Sequence, residues 1–215
     1  MADNAHNNER YDRQEWSIPM HQSAFYRATG AAGLVCAALL LINVLRRAGV
    51  LPETAVTHAI APFGALTGLL VITGLYLLIR DTAGRLGLIG YLLNSAGLAG
   101  AFAIEYTLHY VFPLLGKATI DGLLSGGTGR AFLVTSVVLI VGVLIFSVAA
   151  LRSGALPVVA IALYAVGMIP GSLRNAVPVP VYLVGLVIAA VGIAWMSARL
   201  WTAREETATL QTSSV

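Results

Sequence analysis

The chain has 215 residues, of which 58% are hydrophobic and only 11% charged. A soluble globular domain carries roughly 25% charged residues, so this composition excludes the ordinary soluble classes and selects the membrane class. Thirteen basic residues against ten acidic ones leave a net charge of +3, which calls for no nucleic-acid partner.

Residues 1–23 form a polar tail carrying both charge signs, unlike the basic start of a cleavable signal. Trp16, Ile18, Met20, Phe25 and Tyr26 suit the membrane interface beside the first span. Six apolar runs follow, at Ala28–Val44, Val56–Ile79, Leu86–Tyr110, Ala131–Leu151, Leu156–Ser172 and Pro178–Ala198. Each approaches the ~17–25 residues that cross a bilayer core as a helix. They are too long for barrel strands and lack period-two alternation. The predicted fold is an all-α, polytopic transmembrane bundle of six spans over residues 24–203, with a disordered tail over 204–215.

The first span holds the lone Cys36, so no intramolecular disulfide can form. An apolar site keeps such a thiol protonated and makes it a packing residue. The second span contains Gly64-x-x-x-Gly68, and the third contains Gly97 and Gly100. Small residues let helix backbones approach closely, which favours a tight bundle and equally a homo-oligomer.

The third span also carries Tyr91, Asn94, Leu98, Ala101, Glu105 and His109 at intervals of three and four. These residues share one face. Glu105 is the only acid inside any apolar run. An ionisable group at membrane depth is costly and points to a site. His109, four residues on, lies beside it.

The loop before the fourth span, Ser125-Gly126-Gly127-Thr128-Gly129-Arg130, reads either as a flexible connection or as a phosphate-binding helix start. The fifth run is the shortest and meets Ile169-Pro170-Gly171, which reads as an ordinary stop or as a broken helix beside a cavity. Arg47-Ala-Gly-Val-Leu-Pro52 is echoed by Arg152-Ser-Gly-Ala-Leu-Pro157. This is either a weak 3+3 inverted repeat or a shared helix stop.

Alternating spans bring His58, Asn43, Tyr106, Arg130, Arg174 and Asn175 to the leaflet of Glu105 and His109. The expected site assigns acid–base roles to Glu105, His109 and His58. It assigns ligand-binding roles to Asn94, Tyr106, Arg130, Arg174, Asn175 and Asn43. His58, Glu105 and His109 could also supply two nitrogens and one oxygen to a metal, a minimal set; no other cofactor is expected. Eight arginines (10, 13, 27, 80, 85, 152, 199, 204) lie on the side of the termini, against five basic residues opposite. This bias expects both termini in the cytoplasm.

Ala150-Leu-Arg-Ser-Gly-Ala-Leu-Pro157 and the Gly-rich third span resemble small, uncharacterised membrane proteins of high-GC actinobacteria. The resemblance implies a bacterial plasma membrane and brings no activity with it. The functional expectation is an enzyme or binder that uses acid–base chemistry on a lipid or isoprenoid-like molecule. A small proton-coupled transporter and a structural or regulatory subunit remain the alternatives.

Overall fold

The computed structural model describes residues 17–174 and 176–212, with side chains described over 24–174 and 176–201. Among the described residues every regular element is helical: α1 (Ser17–Arg47), α2 (Ala55–Ile60), α3 (Phe63–Tyr106), α4 (Lys117–Ser125), α5 (Gly127–Ser153), α6 (Val158–Ser172) and α7 (Val179–Thr212). Asn175 lies outside the described residues, as do 1–16 and 213–215 of the two tails. Helix α7 continues beyond Arg204, where the sequence predicts a disordered tail.

Among the described residues, four continuous helical stretches are long and apolar enough to cross a membrane, and the longest runs Ala55–Leu114. That stretch is two of the expected spans. Helix α3 breaks at Gly84, where φ is 56° and ψ is extended. That combination belongs to glycine alone. A straight helix would place Gly68 and Leu98 about 45 Å apart at 1.5 Å per residue. Instead a Cβ built on Gly68 would sit 3.4 Å from the Leu98 side chain. The rings of Tyr76 and Tyr91 stack at 4.5 Å across the same reversal. With the shorter apolar helix α6, this makes six crossings.

Each span packs antiparallel against its sequence neighbour, and α1 closes the ring against α7. Glycine sets the closeness of these crossings. At Gly90 a Cβ would meet the Phe146 backbone of α5, and at Gly192 it would meet the Tyr164 backbone of α6. Where lipid supplies no hydrophobic drive, such backbone approach provides the packing energy. Inside the ring, Asn94 is fully buried and donates to the Tyr164 hydroxyl at 2.7 Å, tying α3 to α6.

The echoed segments share a local mechanism. Gly49 and Gly154 both adopt positive φ, 75° and 67°, at the ends of α1 and α5. Both positive-φ glycines suit a helix stop, and each is followed one residue later by Leu-Pro. A shared stop is enough to produce the likeness without a repeat of the whole three-helix unit.

Two connections differ from expectation. The segment Lys117–Ser125 is a helix, and α5 begins at Gly127 with Gly126 as the only break. Arg130 N donates to Gly126 O as the first intrahelical bond of α5, so the connection is a tight helix–helix junction and not a flexible loop. The second expected span is preceded by a separate turn, α2, capped by reciprocal Thr54 and Thr57 bonds and ended before Pro62.

Candidate functional site

Two irregularities of the backbone bring the polar residues together. The first is at the end of α3. Pro113 has no N–H to give to the carbonyl four residues back, and the chain widens into a π-turn over Thr107–Val111 before a 3-10 turn over Phe112–Leu114. Such π-turns occur often at functional sites. His109 sits in this turn and is buried. Tyr106 and Tyr110 stack on its outer side at 4.9 Å. The Tyr110 hydroxyl donates to the Ala59 carbonyl at 2.9 Å, which pins α2 to the π-turn and sets His58 against His109.

The second irregularity is the length of α6, which has only 15 residues. These span about 22 Å, less than a ~30 Å hydrocarbon core. The chain therefore leaves the helix early, after Pro170 and Gly171, and Arg174 follows at the depth of Glu105.

Around Glu105 the geometry is specific. Oε1 accepts from Arg174 Nη1 at 3.2 Å. Oε2 lies 3.2 Å from His109 Nε2, but off the axis of a ring N–H bond, so no aligned donor serves it. This is a close polar contact and not an aligned hydrogen bond. His109 Nδ1 lies 2.8 Å from His58 Nδ1. His58 Nε2 faces Glu53 Oε2 at 3.9 Å. Arg46 Nη2 approaches His109 Nε2 at 3.3 Å and donates to Asn43 Oδ1 at 3.0 Å. Arg47 lies over the Tyr182 ring at 5.3 Å.

Beside this cluster lies a cavity of about 240 Å³ in the centre of the ring. Its walls are mostly apolar, with Leu39, Ile72, Leu98 and Met196 among them. Asn43, Glu105, Arg174 and Tyr182 gather at one end. Leu133 and Ala176 line the cavity and are also exposed, so it reaches the outside of the bundle near the start of α5.

Of the residues expected at the site, Glu105, His109, His58, Arg174 and Asn43 come together. Asn94 lies deeper, bonded to Tyr164. Tyr106 is exposed beside the cluster and packs on Tyr110. Arg130 is exposed on α5 and does not line the cavity. His58, His109 and Glu105 do not converge as a metal set would. His109 turns opposite ring nitrogens to its two partners, so the three side chains form a line and not a cage.

Sequence reasoning misses Arg46 and Tyr182. By position Arg46 is a loop charge, yet only 4% of its side chain is exposed. Its three-residue spacing from Asn43 on α1 is the available signal.

No known family model, curated protein or solved structure matches this chain.

Proposed function

We propose that this protein holds a single-chain amphipathic molecule, lipid- or isoprenoid-like, in its central cavity, with Glu105 as the acid–base group at the polar end. The reading places it in a bacterial plasma membrane with both termini cytoplasmic and the polar end near the opposite leaflet. The observation that carries it is the cavity itself, an apolar shaft ending in one carboxylate, one guanidinium, one amide and one phenol. Small-molecule sites typically enclose ~300–1,000 Å³. A volume of about 240 Å³ suits one chain and not a two-tailed lipid. The opening beside Leu133 gives access from the bilayer.

A carboxyl at such a wall can protonate an alkene, an epoxide or a leaving group, and its conjugate base can take a proton back. Arg174 holds one oxygen and leaves the other to exchange protons. A purely structural subunit is the weaker reading, because glycine-mediated packing elsewhere in the ring gives no reason for a hollow with a polar end.

The test is to purify the protein in mild detergent and identify retained molecules by native mass spectrometry. The wild type is expected to carry a stoichiometric amphiphile. Ala101→Trp, which fills the cavity wall, should expel it, and Glu105→Gln should weaken retention or abolish turnover while the fold persists. Equal occupancy in the wild type and the Trp variant would remove the cavity from the function.

A further inference from the structure

We propose that His58, His109 and Glu105 form a proton path from the water-exposed surface at Glu53 to the cavity, an inference that rests on Glu105 being the cavity's acid–base group. Exposure falls along the line and then meets the cavity. The side chains are 67% exposed at Glu53, 35% at His58, 4% at His109 and 20% at Glu105. The separations from His58 inward are 2.8 Å between the two Nδ1 atoms and 3.2 Å from His109 Nε2 to Glu105 Oε2. The first is a hydrogen-bond contact; the second is at the outer limit of hydrogen-bond reach and becomes a transfer link when the His109 ring turns its Nε2 edge onto Oε2.

The bonding requirements of His109 argue for a mobile proton. The two facing Nδ1 atoms are close enough to need one proton between them, since two bare lone pairs or two N–H groups would repel. On the other ring edge, Nε2 faces Arg46 Nη2 at 3.3 Å. A guanidinium can only donate. Nε2 also faces the carboxylate oxygen at 3.2 Å. An ionised carboxylate can only accept. No single placement of the Nε2 proton serves both neighbours.

Two arrangements place one proton in each link of the line, and they differ in whether Nε2 serves Glu105 or Arg46. In one, His58 Nδ1–H donates to His109 Nδ1, and His109 Nε2–H faces Glu105 Oε2. In the other, Glu105 carries the proton toward His109 Nε2, His109 Nδ1–H donates to His58 Nδ1, and His58 Nε2–H faces Glu53.

Passing between them moves one proton at each link. The His109 Nε2–H bond breaks as a Glu105 O–H bond forms. The His58 Nδ1–H bond breaks as His109 Nδ1–H forms. A proton from water beside Glu53 makes the His58 Nε2–H bond. Both imidazoles start and finish neutral, and the net change is one proton from water to the carboxylate. A static ion pair would need none of this, because Arg174 already pairs with Oε1.

Among the described residues, the charged groups facing the path are Arg46 and Arg47 from α1, Glu53 from the α1–α2 connection and Arg174 from the α6–α7 connection. Tyr110 turns its hydroxyl to Ala59 and stays outside the path.

The test uses the full chain, labelled with ¹⁵N-histidine and reconstituted in lipid nanodiscs without added ligand. The exchange of the His109 ring N–H with water is measured by saturation transfer. His58→Phe should slow it roughly 100-fold or more, the scale of a lost acid–base group, and added imidazole should restore it. His58→Gln keeps a polar side chain at the position and should be as slow as the Phe variant. A merely structural histidine would be replaced by Gln without a change in exchange. Unchanged exchange in both variants, or failure of imidazole to rescue a slowed one, would overturn the path. No ligand takes part in this measurement, so its failure is distinct from a failure of the amphiphile reading.

Discussion

Substituting Gly90 by Ala tests whether backbone approach holds the ring together. The added Cβ would lie 2.5 Å from Phe146 N and 2.7 Å from its Cα. Carbon contacts are comfortable at ~3.5–4.0 Å, so α3 and α5 must separate by about 1 Å, because helix backbone cannot yield atom by atom. Overpacking of this kind costs ~1–3 kcal/mol. Alanine also favours the helix over glycine by about 1 kcal/mol, which obscures the cost if Gly90→Ala is measured alone. Gly122→Ala supplies the reference, since Gly122 lies inside α4 and an added Cβ there meets nothing within 4 Å. The reference substitution should be neutral or slightly stabilising, and Gly90→Ala should fall ~1–3 kcal/mol below it. Reversible unfolding in mixed detergent, or steric trapping in bicelles, reads this difference. Equal stabilities for the two variants would refute the claim that helix approach at Gly90 is limited by a missing side chain.

The reversal in α3 makes a second prediction: Gly84→Ala should cost ~1–3 kcal/mol by forcing a side chain into a glycine-only conformation, read by the same unfolding. Asn94→Leu and Tyr164→Phe should each destabilise, with a coupling of ~0.6–1.7 kcal/mol in a double-mutant cycle, the range for hydrogen bonds between membrane helices. Arg174→Ala should lower the melting temperature by stranding the Glu105 charge. Adding Glu105→Gln should recover part of that loss, because the orphaned charge and not the missing bond is the larger cost; no recovery would mean that Arg174 acts through its own packing. For the cavity, the retained amphiphile should disappear in Ala101→Trp while the melting temperature stays near that of the wild type.

The six crossings are legible in the sequence because span length and apolarity follow from bilayer thickness alone. Charge places the reversal between the second and third near Gly84, since Arg80, Asp81 and Arg85 cannot lie in the hydrocarbon. That the turn needs a single glycine is not legible, because one positive-φ residue leaves no periodic signal. Helix α4 escapes sequence reading for a similar reason. Its apolar residues Ile120, Leu123 and Leu124 are too few to show a period. A count of charges by loop misreads Arg46 because it ignores which helix face each charge occupies.

The site is legible where the chain breaks its own pattern. Glu105 breaks apolarity, and Pro170-Gly171 shortens a helix that the membrane would otherwise require to be longer. The pairing of those two anomalies is not legible, and it is what the fold supplies. A full-length α6 would carry Arg174 to the headgroups and leave Glu105 without its Oε1 partner. A regular end to α3 would lack the π-turn that holds His109 between His58 and the carboxylate. Each departure is locally unfavourable, and both converge on the same carboxyl group beside the same cavity. Departures from local rules that meet in space mark function more strongly than any one of them alone, and here they meet at Glu105.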